Sequence, residues 1–167
     1  MNRLWAPWRS QYVESAAEKT DAGCFLCTYW GDEANDDAHH VLRRWKHWYA
    51  VLNAYPYTNG HLMFVLGRHQ EGLVGLHPEE SQELGVGLEL CESIIRDVYK
   101  PHGLNIGVNV GRAAGAGAVG HLHVHLLPRW EGDTNFMTSV GDTRVLPEDL
   151  DRSWKRLREA LAKREAS

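Results

Sequence analysis

Hydrophobic residues recur along the chain at two different spacings, and each spacing predicts a different kind of element. Short runs rich in aliphatic and aromatic residues predict four strands, over residues 48–53, 61–66, 104–110 and 121–127. The first two runs are separated by residues 54–60, a segment with proline, asparagine and glycine, which predicts an antiparallel hairpin with a broad loop.

Two other segments show the spacing of amphipathic helices. Residues 78–99 begin with Pro-Glu-Glu, which suits a first helical turn because proline lacks the N–H that is unpaired there and acidic side chains suit the positive end of the helix dipole. Pro101 and Gly103 predict the end of this helix, and residues 147–165 predict a second one. Strands outnumber helices and are expected to pair in sequence order, so we predict an α+β fold with a meandering antiparallel sheet.

Length and charge narrow the classes of protein to consider. The chain has 167 residues, which fits a single domain over residues 1–167. Its net charge of −4 gives no sign of a nucleic-acid partner, although a local site can still attract a small anion. The sequence has no apolar run of the roughly 18–20 residues that a membrane span needs, and its first residues lack the apolar core of a secretion signal. We therefore expect a cytoplasmic protein without a membrane partner.

The most specific feature of the sequence is a row of alternating histidines, His121, His123 and His125. Alternate residues of a strand lie on one face, so the three imidazoles are expected to share a face while the residues between them enter the core. Three adjacent protonated imidazoles would repel one another, so such a row indicates a bound metal ion, a bound anion or protons held in a defined order. A surface ladder of histidines without a function is the less favoured interpretation.

A glycine- and alanine-rich segment, residues 111–120, leads directly into this row. Small residues let backbone N–H groups approach phosphate oxygens closely. A glycine-rich loop alone is often only a flexible connection, but beside three histidines it predicts a phosphate site. The amides expected to contribute are those of Gly117, Ala118, Val119 and Gly120.

These motifs resemble the histidine triad superfamily. Residues 121–127 are similar to its signature of three alternating histidines followed by two apolar residues, and residues 59–65 resemble the element in which a glycine–histidine pair begins a strand. Asn53, Asn109 and the glycine-rich loop match in type and spacing, so the resemblance covers most of the chain. Residues 5–9, 53–57 and 128–136 further resemble the bacterial branch of diadenosine-tetraphosphate phosphorylases.

The resemblance implies an enzyme that transfers a nucleotidyl group through histidine. His123 would attack the α-phosphorus of a nucleotide substrate and form a covalent nucleotidyl-histidine intermediate. His125 and His61 would support it, through hydrogen bonds that set its tautomer or through contacts with phosphate oxygens. The loop amides would stabilise charge on those oxygens, and no redox cofactor is needed.

The resemblance also gives Asn53 and Asn109 substrate-binding roles, Asn53 through the ribose. A turn-forming role is the alternative for Asn53. The family often has a serine or glutamine shortly before the first triad histidine, where this chain has residues 116–118, Ala-Gly-Ala. This departure leaves phosphorolysis and hydrolysis both open.

Cys24 and Cys27 have the spacing of two zinc-binding thiolates. Residues 23–27 resemble a stretch of the galactose-1-phosphate uridylyltransferases, a distant branch of the superfamily. There the other two ligands are a histidine eight residues after the start of the glycine–histidine strand and the first triad histidine, which correspond to His69 and His121. The resemblance thus implies a structural zinc site, with His47 as the alternative third ligand and two buried free thiols as the alternative to a metal.

Three functions are compatible with these features. The leading hypothesis is an enzyme that cleaves dinucleoside polyphosphates by phosphorolysis or hydrolysis. The alternatives are a phosphoramidase-like hydrolase that uses the same histidine, and a zinc-stabilised nucleotide-binding module without turnover. We expect a small nucleotide as partner and, because members of the superfamily are commonly dimers, a homodimer to which residues 78–99 could contribute an interface.

Overall fold

The computed structural model describes residues 23–134, 136–141 and 145–166. The motif at residues 5–9 and Asn135 of the motif at residues 128–136 lie outside the described residues. The strands are β1 Val41–Arg44, β2 Trp48–Leu52, β3 Leu62–Leu66, β4 Gly103–Val108 and β5 His123–Arg129. The helices are α1 Phe25–Gly31, α2 Pro78–Tyr99, α3 Phe136–Val140 and α4 Leu150–Glu165, with short 3-10 turns at Glu33–Asn35 and Arg112–Ala114.

The five strands form one antiparallel sheet in the order β1-β2-β3-β5-β4, which agrees with the predicted α+β class. The expectation that strands pair in sequence order is wrong at one position, because β5 lies between β3 and β4. The composition of the two strands explains this order. Strand β4 carries Asn105 and two glycines and is largely exposed, as an edge strand can be. Val124 and Leu126 of β5 are buried, so β5 needs a neighbouring strand on each side.

The sheet buries apolar side chains on both faces. On one face, α2 and α4 pack over the larger core, which includes Phe64, Ile95, Val124 and Leu126. On the other face, α1 covers a smaller cluster of buried residues: Leu26, Val41, Tyr49, Val51, Met63 and Val65. Because side chains alternate along a strand, the histidines of β5 point to the face of the smaller cluster.

The bounds of α2 are those predicted from the sequence, and its first turn is closed by Glu80, whose carboxylate accepts a hydrogen bond of 2.8 Å from the N–H of His77. Helix α4 begins at Leu150 instead of residue 147, because Asp149 caps it by accepting a bond of 2.7 Å from the N–H of Arg152. Among the described helices, none is both long and apolar enough to cross a membrane.

Strands β3 and β5 begin later than predicted. Their expected first residues, His61 and His121, belong to the turns that precede them. The N–H of His61 donates to the carbonyl oxygen of Thr58 at 3.2 Å, and the N–H of His121 donates to that of Ala118 at 3.3 Å. Both histidines are nevertheless buried against the sheet, with at most 2% of their surface exposed.

The close packing of α2 on the sheet predicts opposite effects for two neighbouring glycines of this helix. A methyl group at Gly87 would overlap the ring of Phe64, whereas one at Gly85 would meet nothing within 4 Å. Gly87→Ala should therefore lower the free energy of unfolding by about 1–3 kcal/mol through overpacking. Gly85→Ala should raise it by about 0.5–1 kcal/mol, because alanine loses less backbone entropy in a helix.

Urea denaturation of both variants and the wild type measures these changes. The paired design separates packing from helix propensity, since both substitutions add the same methyl group to the same helix. Equal effects of the two substitutions would contradict the described contact between α2 and β3.

Candidate active site and metal centre

His123 is the first residue of β5 and is only 2% exposed. It pairs with Val65 of β3, while His125 pairs with Met63, so both histidines lie above the smaller apolar cluster. The rings of His123 and His125 meet edge to face, with centroids 4.9 Å apart. Their positions on a paired inner strand hold both imidazoles in a well-defined orientation.

The tautomer of His123 follows from its partner. Its Nδ1 lies 2.7 Å from the carbonyl oxygen of His121, which can only accept, so Nδ1–H is the donor. Burial lowers the pKa of His123, although the bond to His121 opposes this effect. A neutral imidazole with its proton on Nδ1 keeps the lone pair on Nε2, which is the form a nucleophile needs.

His61 and His125 form a separate pair. The N–H of Tyr57 donates to Nδ1 of His61 at 3.2 Å, so the neutral ring carries its proton on Nε2, which donates to Nδ1 of His125 at 2.9 Å. The proton of His125 is then on its own Nε2. One role predicted for these two residues was to set the tautomer of His123. The bond that sets it is instead donated by Nδ1–H of His123 to the backbone carbonyl oxygen of His121.

Both members of this pair are held neutral. The pKa of His61 is lowered to about 3, mainly by burial and to a smaller extent by the proximity of His125 and His123. The pKa of His125 is lowered to about 4, mainly by burial and to a smaller extent by the proximity of His123. The hydrogen-bonded pair of His61 and His125 therefore has one N–H donor free for a ligand, at Nε2 of His125.

Asn53 and Asn109 lie directly after the ends of two different strands, β2 and β4. The Oδ1 of Asn53 accepts a bond of 2.9 Å from the N–H of Tyr55, which is the turn-forming role considered as the alternative. Its Nδ2 lies 3.5 Å from Nε2 of His61, so the same side chain also reaches the histidine pair. Asn109 directly follows β4 and is half-buried at the start of the glycine-rich loop.

The glycine-rich loop adopts backbone conformations that require glycine. Gly111, Gly115 and Gly120 have φ angles of 80°, 84° and 80°. Among described backbone groups, no carbonyl accepts a hydrogen bond from the N–H of Gly117, Ala118, Val119 or Gly120. The loop ends three residues before His123, so these amide donors are suited to an anion beside the histidine row.

The structure brings Cys24, Cys27, His69 and His121 together. One ligand atom from each lies within 4.8 Å of all the others. The Sγ of Cys24 is 3.1 Å from Nδ1 of His121, and the Sγ of Cys27 is 3.4 Å from Nδ1 of both His121 and His69. Ligands of a tetrahedral zinc ion lie about 3–4 Å apart, so the four residues fit this metal.

The orientation of His121 supports a ligand role. Its Nε2 donates a hydrogen bond of 2.6 Å to the carbonyl oxygen of Leu66, which leaves the lone pair of Nδ1 directed toward the two sulfurs. Burial, followed by a hydrogen bond with Cys24, raises the pKa of the Cys27 thiol to about 11. A divalent cation would favour the thiolate, so metal binding there would release protons.

His47 lies outside this group of four. Its N–H donates to the carboxylate of Glu83 at 2.7 Å, and its Nε2 is buried without a hydrogen-bond partner among the described residues. Of the two histidines considered for the third ligand, the structure therefore brings His69 to the thiols.

Sequence reasoning did not predict α1, the helix that carries the thiols, or the residue that holds it. The guanidinium of Arg44 in β1 donates to the carbonyl oxygens of Tyr29 and Trp30 at the end of α1 and to the carboxylate of Asp36. Arg44 lies 15 and 14 residues after Tyr29 and Trp30 and 8 after Asp36, and these contacts join separate segments, so no helix or strand period predicts them.

An antiparallel sheet with buried, alternating histidines on an inner strand, beside a glycine-rich loop, defines a site of the histidine triad type. The model of the HIT domain family matches residues 35–132. The AP-4-A phosphorylase of Mycobacterium tuberculosis is 40% identical over 154 residues, which cover 90% of this chain and 79% of that protein. The chain therefore belongs to the HIT domain family.

Solved structures show the same fold. A Zn-bound histidine triad family protein from Mycobacterium smegmatis superposes with a TM-score of 0.69 at 26% identity, covering 86% of this chain and 96% of that one. A uridylyltransferase superposes with a TM-score of 0.69 at 17% identity, covering 96% of this chain and 52% of that one. The second similarity is one of fold.

The low pKa of His61 predicts a pH-dependent stability. This histidine stays neutral in the folded protein but takes up a proton on unfolding below its ordinary pKa of 6.5, so the unfolded state binds more protons between pH 6.5 and about 3. Its contribution is fully present above pH 6.5 and is lost as the pH falls. His61→Gln should reduce the slope of unfolding free energy against pH by up to about 1.4 kcal/mol per pH unit in this range.

Urea denaturation of the wild type and His61→Gln at several values between pH 6.5 and 4.5 gives the two slopes. The comparison cancels titrations that both proteins share. Parallel plots for the two proteins would show that His61 is not held neutral in the folded state.

Proposed function

We propose that the protein is an enzyme that cleaves dinucleoside polyphosphates, with His123 as the nucleophile and phosphate as the acceptor. The observation that carries this proposal is the hydrogen bond from Nδ1 of His123 to the carbonyl oxygen of His121, which leaves the Nε2 lone pair for attack on phosphorus. The similarity to the AP-4-A phosphorylase of Mycobacterium tuberculosis supports both the substrate class and the acceptor.

The reaction has two displacement steps. In the first, Nε2 of His123 forms a bond to the α-phosphorus, and the bond from that phosphorus to the bridging oxygen breaks, so the remaining nucleotide leaves. In the second, an oxygen of inorganic phosphate bonds to the same phosphorus, and the P–N bond to His123 breaks. Diadenosine tetraphosphate would thus give ATP in the first step and ADP in the second, whereas water as the acceptor would give AMP.

The surrounding residues would stabilise the charge on the α-phosphate oxygens of the transferred nucleotidyl group. Nε2–H of His125 would donate to one of its oxygens, because His61 occupies the Nδ1 side of that ring. The amides of residues 117–120 would donate to the other oxygens. Asn53 and Asn109 would bind the substrate outside the reacting group, with Asn53 near the ribose.

Product analysis tests this function. Incubation with diadenosine tetraphosphate and phosphate should give ADP and ATP in equal amounts, measured by ion-exchange chromatography. His123→Ala should lower the rate to less than about a hundredth of the wild-type rate, because the loss of a nucleophile costs several orders of magnitude. Thermal unfolding of the variant checks that its fold is retained.

His102→Ala serves as the matched control, because His102 is exposed and belongs to neither histidine group. Its rate should equal that of the wild type. A rate of His123→Ala above about a hundredth of wild type would rule out the covalent route. AMP with ATP as products in the presence of phosphate would make the enzyme a hydrolase.

We also propose that Cys24, Cys27, His69 and His121 hold one structural zinc ion. Two thiols and two imidazoles at tetrahedral spacing are a donor set typical of zinc, and they leave no open coordination position. The zinc in the related protein from Mycobacterium smegmatis supports this assignment. The ion would tie α1 and the loop after β3 to His121, two residues before the proposed nucleophile.

Elemental analysis of freshly purified protein should find about one zinc ion per chain, as four protein ligands form a closed site. Cys27→Ser should lose the metal, because the hydroxyl is a poor zinc ligand. Cys91→Ala should keep it, since Cys91 is buried in α2 on the other face of the sheet. Wild-type protein without metal, or equal metal loss in both variants, would reject the site.

We further propose that residues 1–167 form a single domain and that the protein acts in the cytoplasm. It would form a homodimer, to which α2 would contribute. The exposed apolar side chains of Val86 in α2 and Ile106 in the edge strand β4 support such an interface, since they are 58% and 44% exposed.

A further inference from the structure

The loop between β3 and α2, residues 67–77, makes three contacts with the segments that surround His121. His69 extends from it toward the sulfur of Cys27. The carbonyl oxygen of Gln70 accepts a hydrogen bond from the N–H of Leu122, directly after His121. A methyl group at Gly72 would lie 3.2 Å from Val110, so this loop also packs against the start of the glycine-rich segment.

The side chain of Arg68 makes hydrogen bonds to two other residues of this loop. Its guanidinium donates to the carbonyl oxygen of Gly75 at 2.9 Å and to the side-chain oxygen of Gln70. Gln70 in turn donates to the carbonyl oxygens of Gly72 and Val74. Arg68 therefore sets the path of the backbone on both sides of His69, its immediate neighbour.

Arg68 is anchored to α2 through Glu80. Its Nε and Nη2 donate to the two carboxylate oxygens of Glu80 at 2.6 and 2.8 Å, which is the paired geometry of a strong arginine–carboxylate contact. Glu80 is only 2% exposed, and it also accepts from the N–H of His77. The Arg68 guanidinium holds the pKa of the Glu80 carboxyl at about 2, so the pair is charged at neutral pH.

We propose that Arg68 and Glu80 are positioning residues for the metal centre, which hold His69 at the distance from Cys27 that a tetrahedral ion requires. The inference rests on the zinc site proposed above. Neither residue is among the four candidate ligands, so they would act through His69 and the loop backbone. Outer partners that orient a ligand commonly affect metal affinity by about 10–100-fold.

A purely structural role for this ion pair is the alternative, and the chain contains a matched pair that distinguishes the two roles. Arg156 of α4 and Glu148, which lies just before that helix, form an ion pair of 3.0 Å with side chains 41% and 7% exposed. Arg68 and Glu80 have side chains 38% and 3% exposed. Loss of either carboxylate charge should therefore destabilise the fold similarly, but only loss of Glu80 should affect the metal.

The test measures the rate of zinc release from the purified holoprotein to an excess of a chromophoric chelator, for wild type, Glu80→Gln and Glu148→Gln. Glu80→Gln should release zinc at least about tenfold faster than wild type. Glu148→Gln should release it at the wild-type rate. Arg68→Lys, which keeps the charge but loses the paired geometry, should also accelerate release and replaces Glu80→Gln if that variant does not fold.

Three results would overturn the proposal. Release from Glu80→Gln or Arg68→Lys at the wild-type rate would show that the pair does not position His69. Equal acceleration by Glu148→Gln would show that general destabilisation accounts for the effect. A wild-type protein that contains no zinc would refute the metal site itself and this inference with it, without bearing on the role of His123.

Discussion

The antiparallel pairing of β5 with β3 is the contact on which the site depends. Val124 and Leu126 point into the core below α2, and this burial sets the register in which His123 lies opposite Val65 and His125 opposite Met63. A slip of one residue would exchange the two faces and place imidazoles in the aliphatic core. The free energy of apolar packing on one face of the sheet therefore determines where His123 and His125 point on the other face.

His121 links the candidate metal centre to His123, the proposed nucleophile, through two different groups. Its imidazole lies among the thiols, while its backbone carbonyl holds Nδ1–H of His123. A shift of His121 that moved its carbonyl oxygen away from His123 would lengthen this hydrogen bond and release the tautomer of His123. The Nε2–H bond to Leu66, at the end of β3, opposes such a shift.

The pattern of hydrophobic residues was sufficient to predict the strands and helices that are long enough to show a regular spacing. The alternation at 121–127 predicted which residues of β5 face the core. Helical spacing predicted α2, and Pro-Glu-Glu at its start with Pro101 and Gly103 after its end predicted its bounds. Short elements such as β1 and α1 lack enough repeats to be recognised, and strand order depends on the partners that β5 needs. The choice between His47 and His69 also required the fold, since loop residues carry no periodic signal. The role of the His121 carbonyl was not predictable, because every residue has the same backbone oxygen.

The proposed metal site also bears on how the proposed reaction would be carried out. A zinc ion held by two thiolates and two imidazoles has no position for water or phosphate, so it would not act as a Lewis acid toward the substrate. Bond formation to phosphorus would then depend on a side chain with a free lone pair, which is the role proposed for Nε2 of His123. Because His121 would supply a zinc ligand and its carbonyl orients His123, a closed metal site would still contribute to the rate, through the position of the proposed nucleophile.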